Sequence, residues 1–152
     1  MFDQMEDRLI LREMHDGDRE VWADMYTALF PEEGRAACLV EIDRILASPK
    51  RCGFVAEIDG KAEGFAEMNV RDFANGCVSQ PVPFLEGIWT SETARRQGVA
   101  AKLLACVIDR AREGGFTEIG SDVDQDNPAG LGFHGAMGFE ETERVVYFRK
   151  KL

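Results

Sequence analysis

The chain has 152 residues, 45% of them apolar and 30% charged, proportions that fit a globular protein and exclude a disordered or fibrous one. A formal charge of −10, from 18 basic and 28 acidic residues, disfavours nucleic acid and anionic membrane as partners and favours cationic ligands. Its longest apolar run, around Leu103–Ile108, is far short of a membrane span, and its four cysteines and two histidines are too scattered for a disulfide framework or a metal site. The acidic start, Met1-Phe2-Asp3-Gln4-Met5-Glu6-Asp7, lacks the basic-then-apolar order of a signal peptide, so a cytoplasmic protein with reduced thiols is expected. No linker or repeat divides the chain, and residues 1–152 read as a single domain.

In chain order, residues 8–14 predict a first strand. Asp16-Gly17-Asp18 supplies a turn and cap for a helix to about Phe30, halted by Pro31. A second helix over 34–47 stops before Pro49. Strands over 52–58 and 62–70 flank Asp59-Gly60, a hairpin signal. A polar connection leads to a strand over 83–90, then to an amphipathic helix over 96–113 ending at Gly114-Gly115. A strand over 116–122 and a glycine-broken helix over 128–136 follow, the latter capped by Asn127-Pro128. Strands near 138–141 and 144–151 close the chain. The order predicts a mixed α/β fold with an antiparallel first half and a β-α-β crossover in the second. Trp22 reads as core and His15 as surface.

Two segments carry chemistry. Arg95-Arg96-Gln97-Gly98-Val99-Ala100 joins a strand to a long helix, where unpaired backbone N–H groups and the helix dipole favour an anion. Gly98 lets the backbone come close, and two arginines flank it. Glu86-Gly87-Ile88-Trp89-Thr90 lies just before, and its glycine marks either a bulge that frees N–H groups for a ligand or a simple strand end. The charges are also asymmetric. Eight carboxylates (113, 118, 122, 124, 126, 140, 141 and 143) occur from Glu113 to Glu143 without one Lys or Arg, directly after Arg95, Arg96, Lys102, Arg110 and Arg112. That pattern fits either two solvated faces or one site with a cationic end for an anionic co-substrate and an anionic end for a cationic substrate.

Arg95-x-x-Gly98-x-Ala100 between strand and helix, with Gly138-Phe139 near the end, resembles the GNAT superfamily of N-acetyltransferases. Asn75-Gly76-Cys77, Pro83-Phe84-Leu85-Glu86-Gly87-Ile88, Ser121-Asp122 and the block from Gly138 to Val146 are similar to the aminoglycoside 6′-N-acetyltransferases. The resemblance implies a GNAT-type fold with splayed central strands. It implies acetyl-CoA as co-substrate, its pantetheine arm along Ile88, Trp89 and Thr90 and its pyrophosphate on Arg95, Arg96, Gln97, Gly98, Val99 and Ala100, with Asn127 touching the arm. For the aminoglycoside it implies Phe30, Glu33, Phe73, Glu86, Asp122 and Glu143, and for assembly a homodimer. Phe30 and Phe73 stand where that group commonly has tryptophan and tyrosine, so a donor is lost at each.

The reaction this implies is direct attack of a neutral amine on a held thioester in a ternary complex. Glu86 or Asp122 can accept the amine proton, Glu86 being favoured because its strand also presents the acetyl group. His134 stands where many superfamily members place a proposed general acid. An imidazole of ordinary pKa about 6.5 suits that task against a thiol near 8.5, although a histidine among glycines is as often structural. The alternatives are an acetyltransferase for a polyamine or other cationic amine and a catalytically weak acetyl-CoA-binding module.

Overall fold

The computed structural model describes residues 8–152; the acidic start, residues 1–7, lies outside them. Four strands, β1 (Leu9–Glu13), β2 (Arg51–Ile58), β3 (Lys61–Arg71) and β4 (Val82–Thr90), pair as antiparallel neighbours. A short β5 (Gly120–Ser121) runs parallel to β4, giving one sheet in the order β1-β2-β3-β4-β5. The β2–β3 turn needs left-handed backbone at both central positions, and Asp59 (φ 52°) and Gly60 (φ 78°) supply it.

Helices cover both faces because the strands are apolar on both. Val55 and Phe65 point to one side, where they pack with Trp22, Ala23 and Met25 of α1 (Arg19–Leu29) and Ile42 and Ile45 of α2 (Arg35–Ala47). Phe54, Ala56, Ala66 and Met68 point to the other side, against Val99, Leu103, Leu104 and Val107 of α3 (Val99–Glu113). The alternation follows from the two-residue period of a strand. Trp22 is core, at 1% exposure. His15 is a surface residue that caps the 3₁₀ turn Asp16–Asp18. After α3, Gly115 (φ 82°) lets the N–H of Phe116 reach the carbonyl of Ala111, a Schellman ending. The unit β4–α3–β5 is the expected crossover, and α4 (Pro128–Ala136) begins at the Asn127 cap.

Four expected elements differ. The long helix starts at Val99, not at 96, because Gly98 is left-handed and ends the preceding turn. The strand expected over 116–122 pairs only at Gly120 and Ser121, since β5 diverges from β4 beyond that point. The strands expected near 138–141 and 144–151 do not form: the final segment meets no neighbouring strand and is exposed from Glu140 onward. An alternating sequence makes a strand only when another edge satisfies its backbone.

Candidate active site

The centre of the molecule is a gap between two strands. β4 and β5 pair only at Phe84–Gly120 and Leu85–Ser121, so among the described residues Glu86–Thr90 have no partner on that side. On the other side, Ile88, Trp89 and Thr90 are held by Ala66, Phe65 and Gly64 of β3. Between these stretches the register skips: Glu67 faces Gly87, Met68 faces Leu85, and Glu86 is the extra residue of a bulge. The bulge reading of Gly87 is therefore the one that holds. The gap presents a rigid strand edge to an extended ligand.

An anion cradle opens at the same end. Arg96 (φ 62°) and Gly98 (φ 75°) are both left-handed, a turn that directs successive N–H groups to one side, and no side chain caps the α3 N-terminus. A non-glycine residue held there is strained, as turns at ligand sites often are. A Cβ added to Gly98 would meet no heavy atom within 4 Å, so the space before the helix is open. Arg95 and Arg96 are exposed and make no ion pair among the described residues. The turn leading in is anchored from β3: Ser91 donates its N–H to the Glu63 carbonyl (2.8 Å), and the Ser91 and Thr93 hydroxyls both donate to the Glu63 carboxylate. These bonds, Ser91 first, hold that carboxyl below its ordinary pKa. The cradle thus fits an anion by backbone, charge and space. Arg110 and Arg112, grouped with it in the sequence, sit in the last turn of α3, roughly 20 Å along the axis. Arg110 pairs there with Glu13 (2.5 Å).

The acceptor side centres on Glu86. Arg71 grips its carboxylate with two hydrogen bonds of 2.7 Å, and Asn69 donates a third at 3.3 Å. The guanidinium stacks 3.6 Å over the Phe84 ring, and its pKa is raised first by the Glu86 hydrogen bonds, with the Asp122 carboxylate adding negative potential. Gly87 keeps α1 close, since a Cβ there would lie 3.0 Å from Leu29 and 3.8 Å from the Phe30 ring. Phe30 therefore lines the bulge, Glu33 follows in an exposed turn, and Phe73 is 64% exposed just beyond Arg71. Glu143 lies in the exposed final segment and makes no hydrogen bond or ion pair among the described residues. Not all eight carboxylates converge. Glu113 sits beside Arg110, and Glu118 accepts the N–H groups of Val78 (3.0 Å) and Ser79 (2.7 Å).

The bulged, splayed strand beside a backbone anion cradle is the geometry of a known family, and comparison with other proteins agrees. Residues 19–139 match the family model "Acetyltransferase (GNAT) family". The chain belongs to the GNAT acetyltransferases. It is 46% identical over 140 residues to an aminoglycoside N(6′)-acetyltransferase type 1 of Serratia marcescens, covering 91% of this chain and 95% of that one. A second relative of that description, from Salmonella enteritidis, is 39% identical over 142 residues, covering 93% and 98%. Among solved structures, aminoglycoside N-acetyltransferase AAC(6′)-Iy in complex with CoA superposes with a TM-score of 0.90 at 37% identity, covering 95% of each chain. The same enzyme with the bisubstrate analogue CoA-S-monomethyl-acetylneamine gives 0.89 at 37% identity, covering 95% of this chain and 99% of that one.

In this GNAT chain the histidine singled out from sequence is half-buried on α4. His134 Nδ1 lies 2.7 Å from the Gly130 carbonyl and Nε2 lies 2.7 Å from Ser121 Oγ. The Asn127 side chain accepts the Gly130 N–H at 3.0 Å, so its oxygen is occupied as a helix cap. Arg71 and Asn69 are the residues that sequence reasoning missed. Arg71 precedes the polar connection and carries no motif; its alternation with Glu67 and Asn69 on one strand face was the available signal. No cluster of three or more metal-ligating side chains occurs among the described residues, and none of their helices is long and apolar enough to cross a membrane.

Proposed function

We propose that this protein, acting as one domain over residues 1–152, transfers the acetyl group of acetyl-CoA to the 6′-amine of an aminoglycoside. The observation that carries the reading is Glu86, the bulge residue directly after the last β4–β5 pair, on the strand that leads to the anion cradle. The names and bound CoA ligands of the similar proteins support the same chemistry, and its consequence in a cell is resistance to the drug.

The pantetheine arm adds to the free edge of Ile88, Trp89 and Thr90, which fixes the thioester near the bulge. Arg95, Arg96, Gln97, Gly98, Val99 and Ala100 take the pyrophosphate through N–H groups and charge. Asn127 meets the arm with its remaining amide group. Ammonium groups of the drug lie against Glu86, Asp122 and Glu143, with Glu33 at the rim and Phe30 and Phe73 against sugar rings. A backbone N–H freed by the bulge steadies the developing oxyanion. Glu86 takes the proton of the attacking amine directly or through water, while Arg71 fixes its orientation. His134 is the source of the proton that the thiolate side needs. The protein works in the cytoplasm, where acetyl-CoA is made.

A homodimer completes the reading. Val146, Tyr147 and Phe148 are 75%, 81% and 93% exposed in a final segment that bonds to no strand, and the outer edge of β5 is open among the described residues. A second copy covers both.

The test is CoA thiol release from acetyl-CoA against kanamycin- and tobramycin-type drugs, spermidine and lysine peptides. Drug turnover at micromolar-to-millimolar KM is expected. Far faster turnover of spermidine would transfer the assignment to polyamines, and tight CoA binding without turnover of any amine would leave a binding module.

A further inference from the structure

The bond between His134 and Ser121 has a direction that the positions of its neighbours decide. The Gly130 carbonyl, 2.7 Å from Nδ1, only accepts, so Nδ1 carries a proton in every bonded state of the ring. In the neutral ring, Nε2 is then the acceptor and the Ser121 hydroxyl points to it. In the protonated ring, Nε2 donates to Ser121 Oγ at the same 2.7 Å, and the hydroxyl proton is released to turn elsewhere. Its only other bonded neighbour among the described residues is the Leu85 carbonyl, at 3.5 Å, the outer limit of a hydrogen bond.

Where that proton turns follows from the sheet. Leu85–Ser121 is the last paired position of β4 and β5, so Ser121 stands at the apex of the gap, directly before the bulge residue Glu86. His134 bonds to it from α4, its ring 5.8 Å from that of Phe133 and 5.1 Å from that of Phe139. The aromatic packing and the Gly130 carbonyl hold the imidazole in place on α4, while Ser121 is the member of the pair that lies on the strand bordering the gap.

We infer that Ser121 is a catalytic residue: its hydroxyl delivers the proton that the departing CoA sulfur needs, and His134 replaces it. The inference rests on the acetyl-CoA reading above. As the amine nitrogen bonds to the acetyl carbon, the C–S bond breaks with its electron pair on sulfur. Sulfur takes the proton from Ser121 Oγ, and Oγ takes the proton from Nε2 of the protonated His134. The products are CoA as a free thiol, an intact serine and a neutral imidazole. The surplus proton of the amine leaves by Glu86 or to solvent, and His134 is reprotonated from solvent before the next cycle.

The experiment compares Ser121→Ala, Ser121→Thr and His134→Gln with wild type under single-turnover conditions, with acetyl-CoA binding measured by calorimetry. Ser121→Ala should lower the acetyl-transfer rate roughly 100-fold, a general-acid effect, while acetyl-CoA affinity and drug KM change less than about threefold. Ser121→Thr should restore most of the rate. The Ser121→Ala/His134→Gln double variant should be no slower than the slower single variant, because both act on one proton. A wild-type rate in Ser121→Ala overturns the inference, as do multiplicative losses in the double variant. A Ser121→Ala protein that does not fold passes the test to Ser121→Gly, judged by the same rates. If wild type itself transfers nothing to any amine, it is the acetyl-transfer reading that has failed, and the relay falls with it.

Discussion

Glu67 and Glu86 occupy adjacent strands on the same side of the sheet, and each is held by an arginine from β2 or β3. Around Glu67, Arg51 is shared with Glu41 of α2, at 2.8 Å and 2.6 Å, and the Glu67 side chain is 1% exposed beneath the helices. Burial dominates there and pushes the carboxyl up to about 7 even with the arginine beside it. Around Glu86, the whole fork of Arg71 serves one carboxylate, which sits on the bulge residue of β4 and keeps 19% of its side chain exposed. The lesson is that pairing with an arginine does not define a role. One unit fastens α2 to the sheet, because a desolvated ion pair is stable only while complete. The other leaves its acid partly exposed while fixing where it points.

This contrast yields four expectations, the largest first. Arg51→Ala strands Glu67 and Glu41 without their shared cation and should lower unfolding free energy by about 3–5 kcal/mol in urea titrations. Folded enzyme should keep its kcat; a stable but inactive variant would show that this unit belongs to the active site. Glu86→Gln should do the reverse, lowering kcat roughly 100-fold and flattening the acidic limb of the kcat/KM profile, with little change in Tm. Wild-type kcat and pH profile in that variant would reduce Glu86 to a binding residue. Asp122→Asn removes one charge-assisted contact made in both ground and transition states, so drug KM should rise about tenfold at unchanged kcat. A fall in kcat there would make Asp122 the better candidate for the base.

The smallest expectation concerns pH. The native Glu67 carboxyl is raised above its unfolded value of about 4.3, so between pH 5 and 7 the folded protein binds more protons at this site than the unfolded chain. Stability contributed here is therefore present at the low end of that window and lost as pH rises to about 7. Glu67→Gln cannot titrate, and its stability should fall less steeply between pH 5 and 8, by at most about 1.4 kcal/mol per pH unit. Parallel stability curves for the two proteins would refute the assignment.

The sequence by itself determined the elements whose causes are local. Asp59-Gly60 made the β2–β3 turn, Asn127-Pro128 began α4, Gly114-Gly115 ended α3, and Gly98 marked the cradle. Each depends on backbone conformations that few residues adopt, so the letters carry the information. Glu86, Asp122 and His134 were singled out as candidates through family blocks rather than periodicity. Tertiary structure decided the rest. Arg71 reaches Glu86 from 15 residues away because two strands lie side by side, and Ser121 meets His134 because β5 and α4 converge. The segments over 138–141 and 144–151 include strand-forming residues such as Val145, Val146, Tyr147 and Phe148 but bond to no strand among the described residues, so they remain exposed. A turn satisfies its own hydrogen bonds, whereas a strand or an ion pair needs a partner that only the folded chain or a second copy supplies.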